Sequence, residues 1–363
     1  MIKGISVYSN EDIPVEVEGY LKVAKKLGFN TVFTSVHIPE LKMKEQLMHF
    51  FSLCEQVKVA KMELMVDISG EVLAAIIKNK EYIEGFTNYP VMMRFDCRYE
   101  REQILQAAEL LKVSALVLNA SSLQEDKIVE IIKGIRGRLP DIQLLACHNF
   151  YPRVETGLTM DFLEKQGKIF ERFGIPVLSF LPSKAYPRGP IYQGLVTVES
   201  HRQLSFEESA LMLRHSTNCG GLIIADAYAE EEMLKKLSDV CNNEPLEIRL
   251  EVVDSLSEGE KEILFFGEHQ MRYDSGAMVL RVETSRSMAS IGKKIEPKGQ
   301  RNRSMFDVTI DNEKYGRYSG ELQIVLGDLP ADERVNVVGY IAAGDQYKLE
   351  YIKKGKKFVF GVD

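Results

Sequence analysis

Over the first two thirds of the chain, short apolar runs alternate with amphipathic stretches. The runs fall at residues 4–8, 31–34, 63–67, 91–96, 115–119, 143–147, 177–180 and 222–225. Each is continuously apolar rather than alternating, the pattern of a strand covered on both faces in a parallel sheet. Between them apolar residues recur at spacings of three and four, as in Val17, Tyr20, Leu21, Ala24 and Leu27, with like patterns over 100–111, 124–135 and 159–173. That period predicts helices, and Ser122 and Thr159 stand where N-terminal caps are expected. Eight strand–helix repeats in about 240 residues predict a (β/α)8 barrel. An open doubly wound sheet is the competing architecture, but the Gly-rich nucleotide motifs of that class, GxGxxG after a strand or GxxxxGKS/T, do not occur.

After Asn242-Asn243-Glu244-Pro245 the texture changes. Residues 246–252 alternate strictly between apolar and charged, and 305–310, 321–326, 334–341, 347–352 and 357–362 are also strand-like, with turn residues between them. The expected division is a barrel over 1–243, carrying catalysis, and a small antiparallel all-β barrel or sandwich over 244–363.

Composition narrows the function without choosing it. The chain has 363 residues, 45% apolar and 27% charged, with a formal net charge of -7. A mildly acidic chain without long basic blocks is not expected to bind nucleic acid or an anionic membrane, and an anionic ligand would need a local cluster of arginines. No run approaches a membrane span, and MIKGISVYSN lacks the form of a signal peptide. The five cysteines (54, 97, 147, 219 and 241) are scattered without a CxxC pair, which suggests a reduced, cytoplasmic chain.

In such a barrel the working groups sit at the C-terminal ends of the strands. Walking those ends gives Ser35 and His37, then Asp67, Asp96 with Arg98, Asn119, the stretch CHNFYPRVETGL over 147–158, the loop 181–202, and Asp226. Each has an ordinary structural reading: Asp67 could cap the next helix, a lone His is commonly a satisfied core group, and Arg188 could tie down its loop. Their convergence on one mouth is what a structural reading explains badly. Two carboxylates facing across a substrate are the parts for glycoside cleavage. Asn119, His148, Asn149 and Tyr151 suit sugar hydroxyls, while Arg153, Arg188 and Arg202 suit an anionic substituent. No HxH pair, HExxH or GxSxG is present, so neither a metal nor another cofactor is expected; Lys184 is the one candidate for Schiff-base chemistry.

The strings GISVY at 4–8, VFTSVHIPE at 32–40, MVDISGE at 65–71, HNFYPRVETG at 148–157, RGPIYQGLVTVESHR at 188–202 and IDNEKYGRYSGELQIVLGDLPADERVN at 310–336 resemble a family of bacterial proteins long labelled DUF871, which includes the MupG-type 6-phospho-N-acetylmuramidases. The resemblance covers essentially the whole chain. It implies a TIM barrel followed by a cyclophilin-like β-domain, and hydrolysis of N-acetylmuramic acid 6-phosphate β-1,4-linked to N-acetylglucosamine in cell-wall recycling. Val154 and Val196 stand where prolines are usual, and Arg301-Asn302-Arg303-Ser304 where RPRG is usual, which loosens these loops and leaves open a paralogue with an altered substrate.

Catalytic residues are chosen here by position, not by resemblance. Asp96 and Glu155 are the expected acid and nucleophile or base, with Asp67 as a third catalytic candidate and Glu199 and Asp226 as further substitutes. Asn119, His148, Asn149, Tyr151, Arg153, Arg188, Glu199, His201, Arg202 and Asp226 form the expected substrate-binding set. Arg286, Arg301 and Arg303 of the second domain either close over the mouth or are surface charge. A phosphosugar is the expected small-molecule partner and a homo-oligomer is left open. A phosphosugar sensor without turnover, or a barrel lyase or isomerase, is the alternative.

Overall fold

The computed structural model describes residues 1–8, 13–36, 43–95, 99–242, 245–274, 276–283, 285–289 and 294–362. The chain divides into two compact units, Met1–Asn242 and Asn243–Asp363.

In the first unit eight parallel strands close into a barrel: β1 (Ile2–Ser6), β2 (Thr31–Ser35), β3 (Glu63–Ile68), β4 (Met92–Phe95), β5 (Ala115–Asn119), β6 (Gln143–Cys147), β7 (Val177–Leu181) and β8 (Cys219–Ile224), with β8 paired back to β1. All eight lie on the apolar runs of the sequence, because a strand buried on both faces has no polar side to interrupt its pattern. Helices follow where the period of 3.6 placed them. Thr159 caps the helix Met160–Glu171 by accepting from Phe162 N. Ser122 is not a cap; the helix Glu125–Arg138 starts at Gln124.

The barrel interior holds Phe33, Met65, Met92, Val117, Cys147 and Phe180, one side-chain layer above another. Near the C-terminal ends it becomes aromatic. Phe33 and Phe180 meet edge to face at 5.0 Å, and Phe150 closes on Phe180 at 5.2 Å. Successive strand residues point to opposite faces. Two residues beyond Met65, Met92, Val117 and Cys147, the inward positions are therefore Asp67, Arg94, Asn119 and Asn149.

The second unit is a curled six-stranded sheet in the order β10-β12-β11-β13-β9-β14, with β9 (Leu246–Val252), β10 (Val279–Arg281), β11 (Asp307–Asp311), β12 (Leu322–Val325), β13 (Val335–Ile341) and β14 (Phe358–Gly361). Three details differ from the sequence reading. The sheet is mixed, since β14 runs parallel to β9. Residues 347–352, expected as a strand, are helical, ending in the helix Leu349–Lys353. Buried Asp345 accepts from Arg249 N at 2.7 Å and pairs with Lys348 at 3.3 Å, and these bonds hold the segment in turns. A helix at Glu258–Phe265 was also missed, although Ser257 and Glu260 form a capping box.

Candidate active site

Strand register brings the first group of polar residues together. Asp67 lies beside Arg94, and Arg94 beside Val117. Arg94, with its side chain 4% exposed, donates from Nη1 to Asp67 Oδ1 at 2.6 Å and from Nη2 to Asn149 Oδ1. Asn149 Oδ1 also accepts from Asn119 Nδ2 at 2.9 Å. Asn119 Oδ1 takes the backbone N–H groups of Ser121 and Ser122, so that the turn after β5 is built on it. Asp67 does not cap the following helix; Ser69 does, accepting from Val72 N. Asp67 keeps 22% of its side chain exposed and is the one member of the group with a carboxylate open to the mouth.

His148 faces the other way. It is fully buried, and Nδ1 lies 3.1 Å from Ser121 Oγ. Ser121 Oγ also accepts from Asn149 N, so the hydroxyl links the imidazole to the backbone after β6. Burial, and behind it the charge of Arg94, pushes the imidazole down to about 3. It is a neutral, packed group.

The rest of the 147–158 stretch is clamped to the loop after β7. Arg202 donates from Nη1 to Gln193 O and Gly194 O, both at 2.8 Å, from Nη2 to Tyr151 O and Arg153 O, and from Nε to Glu199 at 2.9 Å. Glu199 in turn accepts from Glu155 N and Gly157 N, each at 2.7 Å. Burial would raise the Glu199 carboxyl, but these bonds outweigh it and hold it below the usual carboxylate range. A Cβ at Gly157 would meet Glu199 Oε2 at 2.6 Å, so the close approach needs glycine. Glu155 sits in this turn with φ +71° and an exposed side chain, and Arg153 is exposed beside it.

Asp226 organises the same loop from its other side. Fully buried, it accepts from Ser183 N at 2.7 Å, Arg188 N at 2.8 Å and Leu195 N at 3.3 Å. Burial pushes its carboxyl up to about 6 against those bonds. The result is to deliver Arg188, whose guanidinium lies 3.6 Å from the centre of the Tyr8 ring. Tyr8 belongs to the barrel interior and donates to Ala225 O at 2.7 Å. A cavity of about 220 Å³ opens beside it, lined among others by Thr34, Ser35, Gln46 and His49.

The structure therefore sorts the expected residues by what they touch. Asp67, Asn119 and Asn149 meet at the mouth around Arg94. Arg188 joins Tyr8. Glu199, Arg202 and Asp226 are bonded largely to backbone and shape the loops. Tyr151 contributes its backbone, pairing with Val196, and Arg153 and Glu155 ride on the clamped turn. His148 and His201 are buried. Asp96, Arg98 and His37 lie outside the described residues. Lys184 is exposed and donates to Leu204 O. In the second unit Arg301 pairs with Asp307, Arg303 with Pro330 O, and Arg286 lies 3.6 Å from Glu321. Sequence reasoning missed Arg94, Tyr8 and Ser121. A charge inside the apolar run 91–95 was the available signal for Arg94. Among the described residues no group of three or more His, Cys, Asp or Glu could hold a metal.

His201 offers a pH test. Both ring nitrogens are buried without a partner, and burial lowers its pKa from 6.5 to about 4. A folded-state pKa below the unfolded one means that the unfolded chain binds the proton first, so stability is lost as pH falls from about 6.5 towards 4. Asp226, raised from 3.8 to about 6, works in the opposite sense, losing stability as pH rises through that window. A difference measurement isolates the histidine. His201→Leu should gain roughly 2 kcal/mol relative to wild type between about pH 8 and about pH 5 in urea unfolding. An unchanged difference would show the ring to be solvated.

A closed barrel with a carboxylate and arginines at the C-terminal strand ends has the architecture of a barrel enzyme. The comparisons agree and go further. Models described as 6-phospho-N-acetylmuramidase, N-terminal and C-terminal, match residues 3–239 and 246–361. The chain belongs to the 6-phospho-N-acetylmuramidase family, and it is a phosphosugar glycosidase. It is similar to an uncharacterized B. cereus protein at 26% identity and TM-score 0.80, covering 99% of each chain. A conserved Enterococcus faecalis protein of unknown function is 33% identical at TM-score 0.73, with 100% of this chain and 97% of that one covered. No curated protein matches the chain. No described helix is long and apolar enough to cross a membrane.

Proposed function

We propose that this glycosidase cleaves the β-1,4 bond between N-acetylmuramic acid 6-phosphate and N-acetylglucosamine, in the cytoplasm, as a step of cell-wall recycling. The observation that carries the chemistry is the Asp67–Arg94 ion pair, inward-facing at the C-terminal end of the barrel. The guanidinium fixes the orientation of the carboxylate, which stays partly open to the mouth. Asp67 is thus suited to the nucleophile or base role, and the proton donor is Asp96 or Glu155. Arg188 over Tyr8 and Arg153 on the clamped turn supply positive charge for the phosphate and the lactyl carboxylate. Arg202 is engaged elsewhere and leaves the ligand-binding set.

Product release from the 6-phosphorylated disaccharide, beside its unphosphorylated twin, tests this. Hydrogen bonds to a charged group are worth about 1.5–3 kcal/mol, so the phosphorylated form should be cleaved about 10- to 100-fold more efficiently. Equal efficiency on both would remove the phosphate from the proposal; cleavage of neither would remove the substrate.

A further inference from the structure

Strand β11 is buried on both faces, but only one is apolar. Val308 and Ile310 enter the core of the sheet, while Asp307, Thr309 and Asp311 share the opposite face. Register extends the polar row: Thr309 lies opposite Gln323, and Gln323 opposite Arg281. Asp311 N donates to Glu321 O, which sets those two residues side by side. At one end the row is complete, since Asp307 accepts from Arg301 and from Ser304 N.

At the other end it is not. Thr309 Oγ1, Asp311 Oδ1 and Glu321 Oε1 are all buried and have no hydrogen-bond partner. Asp311 Oδ2 meets Gln323 Nε2 only at 3.5 Å, and Arg281 and Arg286 stand 3.6 Å from the Glu321 carboxylate. Thr309, Asp311 and Glu321 are 0%, 3% and 4% exposed. Burial, and behind it the charges of Glu321 and Asp332, pushes the Asp311 carboxyl up to about 7. The rim is Tyr315, with Arg334 stacked 4.5 Å from its ring centre and forked onto Asp332.

Two orphaned polar atoms, Thr309 Oγ1 and Asp311 Oδ1, beside a carboxylate oxygen of Glu321 held only by a 3.6 Å ion pair to Arg281, do not help a domain fold, and unsatisfied buried groups of this kind call for a functional explanation. A cation is a poor occupant, because Arg281, Arg286, Arg303 and Arg334 surround the carboxylates. What fits is an uncharged set of adjacent hydrogen-bond donors. We propose that this face of the C-terminal unit is a saccharide-binding site, in which Asp311 and Glu321 accept from neighbouring sugar hydroxyls and Thr309 bonds a third. Access requires the rim to part, and Arg334 at that rim is exposed. The site stands on C-terminal residues alone; only the choice of probe sugars rests on the proposed function.

The test uses the full chain, with N-acetylglucosamine and N-acetylmuramic acid 6-phosphate as probes in saturation-transfer NMR. Thr309→Val and Asp311→Asn should each weaken binding of at least one probe by about tenfold or more, the loss of one hydrogen bond to a buried or charged group. Thr309→Val should melt at or above wild type, because it removes an unpaired buried hydroxyl, and Asp311→Asn should melt close to wild type, because the amide keeps the shape while the buried charge is lost. Variants that melt lower yet bind as wild type would make the row structural and overturn the site, as would wild type that binds neither sugar. Hydrolysis of the disaccharide with binding unaffected by either variant would sink this inference alone. Asp311-dependent binding without hydrolysis would sink the proposed function alone.

Discussion

Asp67→Asn should lower turnover of the phosphorylated disaccharide by about 10²- to 10⁴-fold, the range for losing a positioned proton-transfer or nucleophilic carboxylate. The substitution keeps the shape and one acceptor for Arg94 Nη1, so the barrel end should stay assembled. Removing the charge leaves Arg94, 4% exposed, without its 2.6 Å counterion. Asp67 is itself partly open to water, so the stability loss should be modest, about 1–2 kcal/mol. Steady-state kinetics decide the role. A fall confined to kcat, with substrate still bound by the inactive variant, marks a group that touches the reacting atoms. A rise in KM at constant kcat would make Asp67 a binding residue and pass the chemistry to Asp96 and Glu155. Those two carry the parallel test, as Asp96→Asn and Glu155→Gln.

Arg202→Met should be the most destabilising single change in the loop region. The guanidinium bonds four backbone carbonyls from two segments, 151–153 and 193–194, and the Glu199 carboxylate. Its side chain is only 6% exposed, so water can replace the lost donors only at the open ends of the clamp, Gln193 O and Arg153 O. Glu199 is 30% exposed, so the cost should fall at or below the lower end of the range, about 3–5 kcal/mol, for breaking a fully buried pair. Lysine should not rescue it, since one ammonium cannot reach both segments with a planar fork. Urea unfolding reads the stability, and limited proteolysis within 147–158 reads the released turn. Activity should fall as well, because Arg153 and Glu155 depend on the clamp for their position. Preserved stability together with lost discrimination for the phosphate would return Arg202 to the ligand, as the sequence reading had it.

The contrast between Arg94 and Arg202 shows what each level of description can reach. Arg202 stands in a loop crowded with polar residues and reads as a ligand group. Its five bonds are to atoms that no sequence pattern names, mostly carbonyl oxygens of residues 49 and 51 positions or 8 and 9 positions away. Arg94 sits inside an apolar strand and reads as an irregularity. Only closure of the barrel turns it inward and sets it against Asp67 and Asn149.

Family membership was legible through long strings that resemble the family; the eight barrel strands and the change of texture near residue 243 were legible because burial on both faces, a helical period and alternation are local patterns imposed by local geometry. So was the neighbourhood of the mouth, since strand ends can be counted along the chain. The division of labour within that neighbourhood was not. Glu199, Asp226 and Glu155 are all carboxylates on loops of one barrel. Yet two of them are saturated by backbone N–H groups and the third is exposed on a left-handed turn. The parallel strand β14 and the helical turn at 343–353 were likewise hidden, resting on a distant strand and on buried Asp345. Hydrogen-bond partners and solvent exposure are properties of atoms brought together from far apart in the chain, and these the tertiary structure alone decided.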